Sequence, residues 1–118
     1  LRDLTRGGLA TALAEIAETS KRDLALADSA IPISDGVRGA CEILGLDPLY
    51  VANEGRFIAI VPPEAADTAL ALLRRFDPAA SRIGTALGTA SPGEALLDTI
   101  GGRRPLDLLS GEQLPRIC

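Results

Sequence analysis

The spacing of its apolar residues constrains this chain more than any other feature: it switches repeatedly between a helical and a β period, always in short runs. In "TRGGLATALAEIAETS", Leu9, Ala12, Leu13, Ile16 and Ala17 recur on one helical face, with Gly7 and Gly8 in front. "RDLALAD" alternates weakly and predicts a strand near 23 to 27, followed by a short extended piece, "AIPI". Ser34 and Asp35 offer an N-cap to "GVRGACEILG", which sets Val37, Ala40, Cys41 and Leu44 on one face and Gly45 as a stop. "PLYVAN" and "FIAIVP" are apolar, β-rich runs on either side of "NEGR", and this predicts an antiparallel hairpin with a Gly-containing turn. "PPEAADTALALLRRFD" predicts a helix with Pro63, Glu64 and Asp67 at its positive end and Arg74 and Arg75 at its negative end. "RIGTALG" and "EALLDTI" are strand candidates separated by the turn "TASPG", and "GGRRPLDLL" reads as a loop with room for a short strand. The expectation is an α+β domain, with helices packed on a mixed, mostly antiparallel sheet of about four or more strands.

Composition narrows the function classes. At 118 residues the chain fits one domain with a modest core. It is 47% hydrophobic but only 3% aromatic, so that core must come from Leu, Ile, Val and Ala. No apolar run approaches the ~20 residues needed to cross a bilayer, and nothing reads as a signal peptide. A net charge of −4 and few aromatics leave neither a basic stripe nor a stacking platform for nucleic acid. Two cysteines without a secretory segment fit a reducing cytoplasm with both thiols free. Cys41 lies on a predicted apolar helix face and reads as a small buried hydrophobe. With no His and no carboxylate grouping at ligand spacing, no metal site is expected. The missing Met and the abrupt start at "LRDLTRGG" read as a domain cut from a longer protein, with a natural C-terminus.

Three stretches carry candidate chemistry. In "RDLTRGGLA", Asp3, Thr5, Arg6, Gly7 and Gly8 crowd a helix start, where free N–H groups and the helix dipole attract anions. The glycines allow a ligand close to the backbone, and Arg6 offers two-point contact with a phosphate or carboxylate. An ordinary Asp/Thr cap with an exposed Arg explains the same residues. In "VANEGRF", Asn53 and Glu54 sit at the expected hairpin tip, either as turn chemistry or as a general base on a rigid support. "GEQLPRIC" ends on Cys118, behind Pro115 and Arg116. A thiol there is either incidental or a carrier nucleophile, since Pro115 and Gly111 favour a tail able to travel between sites.

These same stretches carry a resemblance. "RDLTRGGLATALAEIA" is similar to a helix-opening motif of the PurM-like superfamily of aminoimidazole ribonucleotide synthetase. "ACEILGLDPLYVANEGRFIAIVPPEAA" and "GEQLPRIC" resemble the HypE family of hydrogenase maturation proteins within it, and the cysteine ending is the discriminating part. Leu4 stands where that family usually has Pro. The resemblance implies a PurM C-terminal-like fold over 1–110 and a flexible tail over 111–118, with the N-terminal ATP-binding domain absent from this chain. It implies that Cys118 accepts a carbamoyl group from the carbamoyltransferase HypF. ATP then drives dehydration to a thiocyanate, and cyanide passes to iron on a HypC–HypD scaffold for [NiFe]-hydrogenase. Glu54 would be the base that deprotonates the carboxamide. Asp3, Thr5, Arg6, Gly7, Gly8 and Asn53 would line the cleft for the phosphates or the modified tail. ATP and Mg²⁺ would be bound mainly by the absent domain, the full-length protein would be a homodimer, and the fragment alone would be inactive. Two alternatives stand beside this: a docking or carrier module, and a phosphotransfer domain of another superfamily member.

Overall fold

The computed structural model describes residues 1–107. The expected tail 111–118, with Pro115, Arg116 and Cys118, lies outside the described residues.

The chain begins with strand β1 (Arg2–Leu4) and helix α1 (Gly8–Ser20), followed by β2 (Arg22–Ala27) and α2 (Asp35–Leu44). After a 3-10 turn at Pro48–Tyr50 come β3 (Asn53–Ile58) and α3 (Ala66–Arg74), then β4 (Gly84–Thr89), β5 (Ala95–Thr99) and β6 (Gly102–Pro105). The strands form two sheets. One is the antiparallel pair β1–β3; the other is four-stranded in the order β4-β2-β5-β6. In the larger sheet β2 runs antiparallel to β4 and parallel to β5, and β5 runs antiparallel to β6. This is the mixed, mostly antiparallel α+β arrangement that the sequence predicts.

The core lies between α1 and the two central strands. Alternation puts Leu24 and Leu26 of β2, and Ala95 and Leu97 of β5, on the buried face. Against them pack Leu9, Leu13 and Ala17 of α1, with Leu4, Leu49, Tyr50 and Leu106 closing the edges. Burying a leucine such as Leu97 stabilises by about 1.5–3 kcal/mol relative to leaving it in water. Leu4 is part of the same core.

The helix ends follow from local chemistry. The hydroxyl oxygen of Ser34 accepts from the amide of Val37 at 3.3 Å, and α2 closes on Gly45 at φ 69. The 3-10 turn Pro63–Ala65 leads into α3, whose last turn carries Arg74.

Two expectations are corrected. The apolar face assigned to α2 is not covered, since only Cys41 is buried while Val37 and Leu44 are exposed. Helical spacing formed the helix, but the described residues cover that face only at Cys41 and leave Val37, Ala40 and Leu44 exposed. Nor is there a hairpin around "NEGR". Pro48–Tyr50 is a 3-10 turn because Asp47 caps it, its carboxylate accepting from the amide of Leu49 at 3.0 Å. Asn53 through Ile58 then form a single strand, paired with β1 rather than with the residues before it.

Candidate functional site

The pairing of β1 with β3 brings together two motifs some fifty residues apart in the chain. Arg2 lies opposite Ile58 and Asp3 opposite Phe57, but the next pair is Leu4 with Asn53. Glu54, Gly55 and Arg56 therefore have no β1 partner in the register and stand out as a bulge, which Gly55 enters at φ 77. A bulge re-aims side chains that a regular ladder would hold to one face. Glu54 is thus not the tip of a hairpin, as the sequence predicted. It is an exposed carboxylate on a bulge at the end of the two-stranded sheet, next to Asn53.

Asn53 is in turn opposite Leu4, from which the chain runs through Thr5 and Arg6 into α1. The Thr5 hydroxyl donates to Asp3 at 3.0 Å, holding the turn residues together. Arg6 is exposed and has no ion-pair partner among the described residues. Gly7 and Gly8 take left-handed conformations at φ 67 and 64, so the chain turns sharply into the helix. Gly8 is also pinned: an added Cβ would stand 2.5 Å from the Val51 carbonyl oxygen and 2.6 Å from that of Leu49. This close crossing sets the segment leading to Asn53 directly on the start of α1. Gly7 caps α1 without a side-chain hydrogen bond, and the first turn holds no acidic residue. The positive end of the helix dipole is therefore not neutralised by a neighbouring carboxylate. The Asp/Thr cap reading is not met, since Asp3 and Thr5 bond each other rather than the helix.

Asp3, Thr5, Arg6, Gly7, Gly8, Asn53 and Glu54 thus share one corner of the fold. Chemically, the corner combines an uncapped helix start, a guanidinium and an exposed carboxylate on a bulge. That set can take up a phosphate or a carboxamide and remove a proton from it. No group of three or more His, Cys, Asp or Glu suited to hold a metal ion occurs among the described residues. Cys118, Pro115 and Arg116 lie outside them, and Cys41 is a buried free thiol on α2.

Sequence reasoning passed over two residues at this corner. Thr11, one turn into α1 beneath Gly7, has a buried hydroxyl oxygen with no hydrogen-bond partner. Tyr50, buried at 7% exposure, accepts at its hydroxyl from the backbone amide of Asp107 at 2.9 Å. For Tyr50 a signal existed. It is the one tyrosine in a chain of 3% aromatics, and a buried tyrosine needs a partner for its hydroxyl.

Known proteins match over the whole chain. Carbamoyl dehydratase HypE of Bradyrhizobium diazoefficiens is 51% identical over 120 residues, covering 100% of this chain and 35% of that protein. A crystal structure of hydrogenase maturation protein HypE in complex with ATP superimposes with a TM-score of 0.90 at 46% identity, over 99% of this chain and 37% of that one. A HypE–HypF complex superimposes with a TM-score of 0.81 at 32% identity, over 90% of this chain and 35% of that one. The chain therefore spans about a third of the length of the relatives it matches. The family described as AIR synthase related protein, C-terminal domain, matches residues 1–95, more than three quarters of the chain, and the chain belongs to that family.

Proposed function

We propose that this chain is the C-terminal part of an ATP-dependent carbamoyl dehydratase acting in [NiFe]-hydrogenase maturation. The observation that carries the reading is the match to carbamoyl dehydratase HypE along all of this chain, at 51% identity. The convergence of "RDLTRGG" and "NEGR" on one corner supports it, because the reaction needs an anion site and a base side by side.

In this reading the Cys118 thiolate receives a carbamoyl group from HypF and becomes a thiocarbamate. ATP phosphorylates the carboxamide oxygen, turning a poor leaving group into a good one. Glu54 accepts one nitrogen proton as the oxygen is phosphorylated and ADP leaves; the second nitrogen proton departs with inorganic phosphate as the C–O bond breaks, leaving a C≡N group on sulfur. Arg6 and the first amides of α1 balance charge on the phosphoryl group as it forms and leaves. Asn53 orients the carboxamide, while Asp3 and Thr5 hold the turn that carries Arg6. Pro115 and Arg116 present the terminal thiol, and the cyano group passes from its sulfur to iron on the HypC–HypD scaffold, the iron side supplying the two electrons that release the sulfur as thiolate. ATP fits the uncapped helix start. The donor set of the described residues does not fit Mg²⁺, so no step runs through it here, and its ligands belong to the remaining two thirds of the relatives' length. The homodimer is assigned to that part as well, and the cytoplasm is the working compartment, where the Cys118 thiol stays reduced.

The test is mass spectrometry of the full-length protein incubated with HypF, carbamoyl phosphate and ATP. Carbamoyl and then thiocyanate should appear on Cys118, and Glu54→Gln should accumulate the carbamoyl form. Modification of any other residue would overturn the reading. Thiocyanate formed at the normal rate by E54Q would remove Glu54 from the mechanism.

A further inference from the structure

Both phenylalanines of this chain lie outside its core, which is built from leucine, alanine and isoleucine with one tyrosine. Phe57 on β3 is 47% exposed, and Phe76, just past α3, is 83% exposed. A phenylalanine offers about 150–250 Å² for burial, so the fold leaves two of its largest apolar side chains in water. The elements that carry them are short of partners. Among the described residues β3 pairs with β1 alone, only Ile58 of its six residues is even partly buried, and Ile60 and Val61 just beyond it are exposed. A two-stranded sheet with an open edge is marginal unless something packs on it or extends it. Helix α3 buries none of its residues, and Leu72 in its last turn is half in water. The two elements are tied at one point, where the Arg56 guanidinium donates to Asp77 at 2.7 Å. Phe57 follows one member of that pair and Phe76 precedes the other, so each is rooted about 3.8 Å, Cα to Cα, from the same contact.

We infer that β3 and the end of α3 form a docking surface whose occupant is the part of the same polypeptide outside these 118 residues, an apolar segment that covers Phe57 and Phe76. The HypE chain in complex with ATP matches 99% of this chain, which makes up only 37% of that one, so most of such a polypeptide lies elsewhere. Phe57, Ile60, Val61, Leu72 and Phe76 offer at most a few hundred Å² of apolar surface, less than the ~800 Å² per partner of a standard free-standing interface. A tethered segment needs less, because its effective concentration is in the millimolar range. A second copy would also bring another net charge of −4 against this one. The inference goes beyond the dehydratase reading and does not depend on it.

Hydroxyl-radical footprinting of the native full-length protein, read by peptide mass spectrometry against an added reporter peptide, tests this without substrate. Phe57 and Phe76 should be oxidised about tenfold more slowly than in the same protein unfolded, as side chains at the centre of a packed interface are. Left as open as they are in this chain, they would keep roughly half and four fifths of the unfolded rate, and that result would overturn the inference. Protection that arises only when HypF is added would overturn it as well, by assigning the surface to that partner. Phe57→Ser combined with Phe76→Ser should keep the wild-type oligomeric state in sedimentation velocity. Trypsin should separate these 118 residues from the remainder about tenfold faster in that variant, because cleavage follows the population of the open form. Dissociation of an oligomer would assign the surface to a second copy, and cleavage at the wild-type rate would show that the remainder does not rest on it; either result sinks the proposal. The footprint uses unaltered protein, so it gives its answer even if the double variant folds poorly.

Discussion

Helix α1 buries seven of its thirteen residues, among them Leu9, Leu13 and Ala17, whereas α3 buries none of its nine. Both show apolar residues at helical spacing, and both form. What differs is the chain that passes over them. The segment Leu49–Val51 crosses Gly8 within van der Waals reach, and β2 and β5 lie beneath Leu13 and Ala17, so α1 is enclosed by chain remote in sequence. Around α3, Leu72 remains 52% exposed and Phe76, just past its end, 83%. The helical period announces a helix; it does not say whether anything will cover its apolar side.

The strongest way to break this comparison is at Gly8. Gly8→Val adds a branched side chain at φ 64, its Cβ 2.5 and 2.6 Å from two backbone oxygens that would have to shift. Strain and overpacking together should cost about 4 kcal/mol, a large share of the 5–15 kcal/mol typical of a domain. Denaturant unfolding should show the midpoint falling by roughly a quarter to four fifths; a midpoint near wild type would mean that the crossing at Gly8 is looser than described.

Matched leucine truncations sharpen the comparison. Leu13→Ala should cost about 3 kcal/mol, because Leu13 is 3% exposed and its removal leaves a cavity. Leu72→Ala, half in water, should change stability by no more than about 0.5 kcal/mol. Equal losses in the 118-residue chain would abolish the distinction between the helices.

The smallest effect tests whether charge substitutes for burial on the exposed side. Arg103 grips Asp98 across β5 and β6, with Nε at 2.6 Å from one carboxylate oxygen and Nη2 at 3.1 Å from the other. The hydrogen bond from Arg103, and secondarily its charge, hold the Asp98 carboxyl below its ordinary range, against a partial opposing effect of desolvation. A carboxyl depressed in the folded state stabilises above its unfolded value of about 4. That contribution is lost as pH falls through the lower folded value. Asp98→Asn should therefore be slightly less stable at pH 7 and indistinguishable from wild type once the pH drops well below 4. Both side chains face solvent, which keeps the difference small. A gap between the two proteins that widened toward acid would contradict the pairing.

Much of the candidate site was legible because its parts are local. The glycines at 7 and 8 before an apolar helical face, and the Asn53–Glu54 pair flanked by β-rich runs, are read directly from neighbours in the chain. The hairpin expectation failed for a physical reason. Asp47 capping its own turn, and Pro48 starting it, win "PLY" for a 3-10 turn, and β3 then finds its partner in β1. Tyr50 was passed over because its hydroxyl is satisfied by an amide fifty-seven residues away, a contact no local pattern announces.

The sequence by itself determined where the helices form and how α2 is capped and stopped, since caps, glycine stops and apolar period act over a few residues. Only the tertiary structure decided that β1 rather than "PLYVAN" pairs with β3, that Glu54 stands on a bulge, and that α1 is enclosed while α2 and α3 keep apolar faces exposed. Those outcomes depend on long-range pairing and packing, whose free energy depends on residues far apart in the chain and is invisible in any one stretch of it.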